Sequence, residues 1–494
     1  MVEDGYISKD EAEQAKNEEL EYAKPTNINA PHFVMFVKEQ LAQKYGDLLV
    51  EKGGLKVTTT LDLDLQEYAQ ATVAAEVGKL KNMNVTNGAI LITKPATGEI
   101  LAMVGSTDYF ASPSGNFNVT TALRQPGSSI KPVNYAIGIE RKLITPATLF
   151  LDIPSCFVIP TQPNYCPHNY DGKFHGPVQM RFALGNSYNI PAVKMMYMNS
   201  VSDFVASASA WGLDTFKDPS NYGLSLTLGG GEVRMSDMAE AFGILANAGI
   251  RKDLVSILKV VDKNGKVLEQ RDDPNITKDI PSQLLIKGER TISAESAFLI
   301  SHVLLDNNAR QPMFGAQNQL MVPGHAVSVK TGTTDDLRDN WTIGYSPLYL
   351  VAAWVGNNDN SPMNRSLVSG VTGAAPIWNK LMKKVLDGQP DIWPKQPEGI
   401  EGKQICSTSG LLPPKDDPND PGCQTRFEYF IKGTVPTERE KLRQPVLIDK
   451  TTGNLAPLGT IENVEVQEHD ILKDSMSLYC LDCPQQEGKP TVIK

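Results

Sequence analysis

The sequence predicts an α+β (α/β) fold: one five-stranded sheet flanked by helices, with a mostly helical subdomain set into it. Three observations predict it. Two apolar runs, "GAILITK" and "EILAMVG", are joined by the turn sequence "PATG", which gives an antiparallel hairpin over about 88–105. Farther on, "HAVSVKTGTT" and "NWTIGYSPLYLVAAWVGNN" supply three more strand-length runs, with Val327 and Val329 alternating. Between the two groups, over about 126–320, helical spacing dominates, and one more helical pattern follows the last strand.

In chain order, residues 1–60 read as polar and helical, with "SKDE" (Ser8 to Glu11) forming a capping box ahead of a charged helix. A second helix is expected from Asp64, with Leu65, Tyr68, Ala69, Thr72, Val73, Val77 and Leu80 on one face. After the hairpin comes "RQPGSSIKP" (Arg124 to Pro132). Pro126-Gly127 breaks what precedes, and Pro132 is tolerated only in a first helical turn, so a helix is expected to begin near Ser128. "MSDMAEAFGILANAG" (Met235 to Gly249) reads as a helix closed by glycine. "PIWNKLMKKVLDG" (Pro376 to Gly388), opened by proline and closed by glycine, reads as the last helix. Residues 389–494 are proline-rich and are expected to be irregular. The expected division is 1–60, 61–388 and 389–494, without internal repeats.

Composition narrows the function. Of 494 residues, 41% are hydrophobic and 21% charged, ordinary values for a globular protein with a large core. A formal charge of −10 argues against nucleic acid as a partner, because phosphate binding needs a basic face. No apolar run approaches the ~18 residues of a membrane span, and the acidic start lacks the apolar core of a signal peptide. Any membrane or targeting element is therefore expected upstream. The six cysteines fall into local pairs, Cys156 with Cys166, Cys406 with Cys423 and Cys480 with Cys483, which suggests disulfides and an oxidising compartment. "CLDC" lacks a second CxxC or a suitable His pair, and there is no HExxH, so neither metal nor cofactor is expected.

Three motifs carry candidate chemistry. In "RQPGSSIKP", Ser128 and Lys131 are three apart and share a helix face, which pairs a hydroxyl with an amine able to act as its base once burial favours neutrality. The bland reading is a capping serine, and "SILK" (Ser256 to Lys259) matches SxxK too. In "GNSYNIPAVK", Ser187 and Asn189 precede Ile190-Pro191, which is expected to hold Asn189 in a turn-like backbone. SxN is also a cheap match, since "SGN" (Ser114 to Asn116) fits it. In "VSVKTGTTDDLRDNW", Lys330 offers a cation and Thr331 and Thr333 offer donors, a suitable cradle for a carboxylate. Gly332 inside a strand marks close approach by a ligand or another backbone. The bland reading of this third motif is an edge strand with a solvated lysine.

Taken together and in this order, SxxK, SxN and KTG resemble the motif set of the penicillin-recognising serine transpeptidases. The wording "RQPGSSIKP", "LGNSYNIPAVK" and "KTGTTDDLRDNWTIGYSP" is most similar to the transpeptidase domain of class A, bifunctional penicillin-binding proteins, over about Gly54 to Gly388. The resemblance implies a β-lactamase/transpeptidase-like fold with a wholly antiparallel sheet. It implies that Ser128 attacks the D-Ala–D-Ala bond of a peptidoglycan stem peptide, with Lys131 as base, Ser187 as proton relay and Asn189 holding Lys131 and the substrate amide. Lys330, Thr331, Gly332 and Thr333 would bind the terminal carboxylate, and β-lactams would acylate the same serine. It places the protein on the extracytoplasmic face of a bacterial membrane. Upstream, "GYISKDEAEQA" and "PHFVMFVKEQL" resemble the tail and linker of a glycosyltransferase domain whose catalytic acidic motifs are absent, so no glycan polymerisation is expected.

Rival functions share the motifs. A serine β-lactamase needs a carboxylate on an ExxLN-type loop, and none follows Ser187. A D,D-carboxypeptidase differs only in using water as acceptor. A penicillin-sensing receptor or a peptidoglycan-binding scaffold would stop at binding, and a scaffold would not need Lys131.

Overall fold

The computed structural model describes residues 1–17, 28–271, 288–364, 369–414, 422–456, 459–484 and 490–493. Two helices come first, Lys9–Asn17 and Pro31–Tyr45. The first carries the reciprocal cap read in "SKDE": Ser8 N–H donates to Glu11 Oε2 at 2.7 Å and Glu11 N–H to Ser8 Oγ at 3.2 Å. Helix α1 (Leu63–Lys79) begins one residue before the expected Asp64, because Asp62 Oδ1 caps the Leu65 N–H at 3.0 Å. Strands β1 (Asn87–Thr93) and β2 (Ile100–Val104) form the expected hairpin. The insert then supplies α2 (Lys131–Glu140), β3 (Leu149–Asp152), β4 (Ser155–Phe157), α3 (Met180–Gly185) and α4 (Asn189–Asn199). It continues through α5 (Met235–Ala246), α6 (Ala294–Leu305) and α7 (Asn307–Phe314). Strands β5 (Ser328–Thr333), β6 (Asp339–Tyr345) and β7 (Leu350–Gly356) return to the sheet, and α8 (Ala374–Leu386) closes the unit.

The sheet order is β5-β6-β7-β1-β2, and every neighbouring pair is antiparallel. The strand bearing Lys330 is therefore an edge strand. Both faces of the sheet are covered. On one, α1 and α8 lay Val73, Val77, Trp378 and Leu381 against Ile90, Ile92, Val351 and Val355. On the other, α5 and the insert lay Met238 and Phe242 against Leu91, Trp341, Ile343 and Trp354. Burial on two faces explains why β1, β2 and β7 read as apolar runs rather than strict alternation. Tyr68 departs from the expected apolar face of α1. Its ring is exposed and lies under Lys384 Nζ, 5.6 Å from the ring centroid.

The expectation of an irregular stretch after residue 389 is corrected. Strands β8 (Ile400–Cys406) and β9 (Thr425–Ile431) pair as one hairpin. Strands β10 (Arg443–Asp449), β11 (Val464–Lys473) and β12 (Leu478–Cys480) form a second sheet. A final strand, β13 (Thr491–Ile493), runs parallel to β4 in the insert. These strands are largely solvent-exposed and rich in Glu, Lys and Arg, so they lack the apolar signal that marks the central sheet. Disulfides join Cys156 to Cys166, Cys406 to Cys423 and Cys480 to Cys483, the local pairs seen in the sequence.

Candidate active site

The Ser128 turn is built by glycine contacts. Gly127–Ile130 form a single 3-10 turn that runs directly into α2, with Pro132 in the first turn of that helix. Gly127 has φ 53°, and a Cβ there would lie 2.6 Å from Thr333 O. A Cβ on Gly332 would lie 2.3 Å from Pro126 O, and one on Gly229 would lie 2.2 Å from Gly127 N. No side chain fits at any of the three, so backbone meets backbone and the Ser128 turn is pressed onto the end of β5. Gly332 thus serves the joint rather than the cleft surface.

The Ser187 turn lies between α3 and α4. Ser187 itself takes the left-handed conformation, φ 63°. Asn189 is not in the turn but is the first residue of α4, which corrects the sequence expectation. Pro191 sits within the first turn of that helix, where a missing N–H forfeits no internal bond, so it does not push Asn189 out.

The two lysines tie the three segments together. Fully buried, Lys131 donates through Nζ to Ser187 O at 2.6 Å, Asn189 Oδ1 at 2.7 Å and Tyr188 O at 3.1 Å. Lys330, also buried, donates to Ser187 Oγ at 2.7 Å and Thr331 O at 2.9 Å. Ser128, Ser187, Asn189, Thr331 and Thr333 line one cleft above them. Burial lowers the Lys131 ammonium to about 7, with Asp335 and Asp152 opposing the shift. Lys330 is pushed well below the usual lysine range by burial, and then by the charges of Lys131 and Arg310. The buried lysines beneath the cleft, with the Arg310 charge acting on Lys330, favour an anionic guest.

Several participants escaped the sequence reading. Asn189 is held from behind: its N–H donates to Asn169 Oδ1 at 2.6 Å and its Nδ2 to His168 O at 2.7 Å. Asn169 Nδ2 in turn lies 2.7 Å from Asp152 Oδ2, a carboxylate also 2.7 Å from His175 Nδ1. Asp335, Tyr170, Met313 and Phe314 line the cleft as well. Asp335 stands in the quoted "KTGTTDD", but nothing in its spacing distinguishes it from a turn aspartate. The chance matches fall away. Ser256 is buried and bonds Gln40 Oε1 at 2.8 Å, beside a strand that carries Lys259. Ser114 accepts from Asn358 Nδ2 through its carbonyl at 3.0 Å.

Among the described residues, two groups bring cysteine and carboxylate atoms within metal-ligand reach: His469 with Cys480, Asp482 and Cys483, and Cys406 with Cys423 and Glu440. In both, the sulfurs are spent in disulfides and offer no thiolate. Neither group lines the cleft.

Comparison with known proteins agrees with this layout. Residues 88–383 match the penicillin binding protein transpeptidase domain, and residues 396–442 match the C-terminal domain of penicillin-binding protein 1A. Penicillin-binding protein 2D of Bacillus subtilis (strain 168) is 31% identical over 449 residues, covering 88% of this chain and 60% of its own length. Penicillin-binding protein 1A of Clostridium botulinum (strain Langeland) is 29% identical over 493 residues, covering 92% of this chain and 57% of its own length. The chain thus spans less than two thirds of either relative. Among solved structures, penicillin-binding protein 1A from Haemophilus influenzae superposes with a TM-score of 0.70 at 24% identity, over 89% of this chain and 82% of that one. PonA1 from Mycobacterium tuberculosis, in complex with penicillin V, gives 0.62 at 22% identity, over 75% and 97%. At these identities the superpositions establish the transpeptidase fold.

Proposed function

The chain belongs to the penicillin-binding protein transpeptidase family, and from that premise we propose that it is a peptidoglycan D,D-transpeptidase that joins stem peptides through an acyl ester on Ser128. The observation that carries this reading is the shared cleft: two buried lysines from separate motifs both bond the Ser187–Asn189 segment, beside Ser128.

Neutral Lys131 takes the proton of Ser128 Oγ as that oxygen attacks the carbonyl carbon of the penultimate D-alanine. The C–N bond to the terminal D-alanine breaks, and its amine leaves with a proton passed through the Ser187 hydroxyl. Asn189 fixes Lys131 and offers its amide to the donor peptide. Lys330, Thr331 and Thr333 hold the terminal carboxylate, and the N–H groups of Ser128 and Thr333 stabilise the oxyanion, each worth about 3–4 kcal/mol. An amine of a neighbouring stem peptide then attacks the ester, forms the cross-link and returns Ser128 as an alcohol. β-Lactams acylate the same oxygen. The reaction assigned to these 494 residues is cross-linking; residues 1–60 are read as the end of a glycosyltransferase domain and its linker. The work is done on the extracytoplasmic face of the membrane, a setting that three disulfides suit. Among the described residues no helix is long and apolar enough to cross a membrane.

The test is product analysis with a stem pentapeptide donor and an amine acceptor. The expected outcome is free D-alanine together with a cross-linked peptide. D-alanine with only the hydrolysed tetrapeptide would instead make the protein a carboxypeptidase, and rapid turnover of benzylpenicillin would make it a β-lactamase. The pH dependence follows from Lys131. Below about pH 7 its amine is protonated and cannot serve as base, so acylation is expected to rise as pH passes through that value. A rate flat from pH 5.5 to 8.5 (roughly the range that brackets such a titration) contradicts that role.

A further inference from the structure

We propose that the strands from Ile400 onward are a brace that sets the position of the Ser187 turn and of Asn189 at the start of α4, with Glu428 and Asp474 as positioning residues for chemistry at Ser128; this rests on the acyl-serine reading above. The turn is flanked by two helices, and each is tied to the C-terminal strands by a buried ion pair. On α3, Arg181 reaches Glu428 of β9 through both ends of its guanidinium, Nε to Oε2 at 2.7 Å and Nη2 to Oε1 at 2.5 Å. On α4, Lys194 Nζ donates to Asp474 Oδ2 at 2.5 Å and Ser477 Oγ at 2.8 Å, both from the turn between β11 and β12. The four charged side chains are between 0% and 5% exposed.

A third tie reaches the same place from behind. Strand β13 extends the insert through β4, with Val492 opposite Cys156. The chain after β4 is closed by the Cys156–Cys166 disulfide and then delivers His168 and Asn169, the two residues that hold Asn189. Asp474 Oδ2 also accepts the Leu151 N–H of β3 at 2.9 Å. Three contacts from the C-terminal strands therefore converge on one turn.

Buried ion pairs are inefficient as plain staples, because desolvating both charges offsets much of their attraction. What they supply is direction. The bidentate Arg181–Glu428 pair fixes the orientation of α3, and the three acceptors of Lys194 Nζ (Asp474 Oδ2, Ser477 Oγ and, at 2.9 Å, Leu151 O) fix the depth of α4. The turn between these helices presents Ser187 O and Asn189 Oδ1 to Lys131 and Ser187 Oγ to Lys330. A shift of the turn moves the base and the relay together.

Rapid-mixing acylation of the full chain by benzylpenicillin separates the pre-covalent dissociation constant from the acylation rate constant k2. For Asp474→Asn and Glu428→Gln, k2 per folded molecule is expected to fall at least about tenfold while the dissociation constant changes by less than about threefold. A module that only stabilises the fold would lower thermal stability and leave k2 within about twofold in both variants, which overturns the proposal. If a variant does not fold, hydrogen exchange on the unsubstituted chain decides. Coupling is reciprocal, so acylating Ser128 is expected to slow exchange in residues 425–431 and 471–480 as well as 187–190. Unchanged exchange in the C-terminal strands overturns the brace. Absence of any acylation of the unsubstituted chain overturns the acyl-serine reading instead.

Discussion

Ser128→Ala is expected to abolish covalent labelling by a fluorescent penicillin, a loss of at least about 10⁴-fold, with the fold retained. The magnitude follows from the lack of a substitute alcohol. Ser129, its neighbour, is fully buried and donates its hydroxyl to Pro126 O at 2.6 Å. Ser187 Oγ already accepts from Lys330, and Thr333 Oγ1 accepts from Asn340 Nδ2 at 3.3 Å. Neither stands one helical turn from a buried amine as Ser128 does. Ser128 is itself only half-buried, and no side-chain hydrogen bond of the fold depends on it among the described contacts, so alanine removes the proposed nucleophile and little else. The check is gel fluorescence alongside a thermal melt. Labelling that persists in a folded Ser128→Ala protein would remove this serine from the mechanism.

Lys131→Met is expected to slow acylation by about 10²–10⁴-fold, the usual worth of a positioned general base. Methionine matches the volume of the buried stem without charge. It leaves Ser187 O, Tyr188 O and Asn189 Oδ1 without their shared donor, at a cost of about 1–3 kcal/mol for each group left unpaired. Relief of one buried charge offsets part of that cost. Lys131→Arg separates the two roles of the amine. Arginine keeps a cation near the same acceptors but holds its proton at every working pH, so it cannot act as base. Acylation kinetics at pH 8, normalised to the folded fraction from the melt, are the measurement. An arginine variant that acylates at the unsubstituted rate would show that Lys131 supplies charge and not proton transfer.

How much of this was legible in the sequence depends on the physical origin of each feature. Strands β1, β2 and β7 were legible because two covered faces make long apolar runs. The serine–lysine pair was legible because Pro132 restricts where a helix can begin, which put Ser128 and Lys131 on one turn. SILK matches the same pattern but lies on and beside a strand, where residues three apart point to opposite faces. Asn189 was misplaced because the rule used concerns the residue just before proline, whereas the left-handed backbone sits at Ser187. Asn169 and Asp152 left no trace, since their partners lie 17 and 20 residues away, beyond any local spacing rule, and an asparagine in a loop or an aspartate at a strand end is ordinary. Gly229 is one of three glycines in "LGGG", and only its closeness to Gly127 shows what it is for. The C-terminal strands pair through backbone bonds with mostly solvated side chains, and their buried charges, Glu428 and Asp474, look in sequence like surface acids.

The central claim is that one oxygen, Ser128 Oγ, becomes an ester in a cleft shared by three motifs. Its most direct test is peptide mapping by mass spectrometry after exposure to benzylpenicillin and removal of the excess. The expected result is a single persistent adduct with the full mass of the antibiotic, on the peptide that carries Ser128. An adduct confined to any other residue, or none on a folded protein, would contradict the claim.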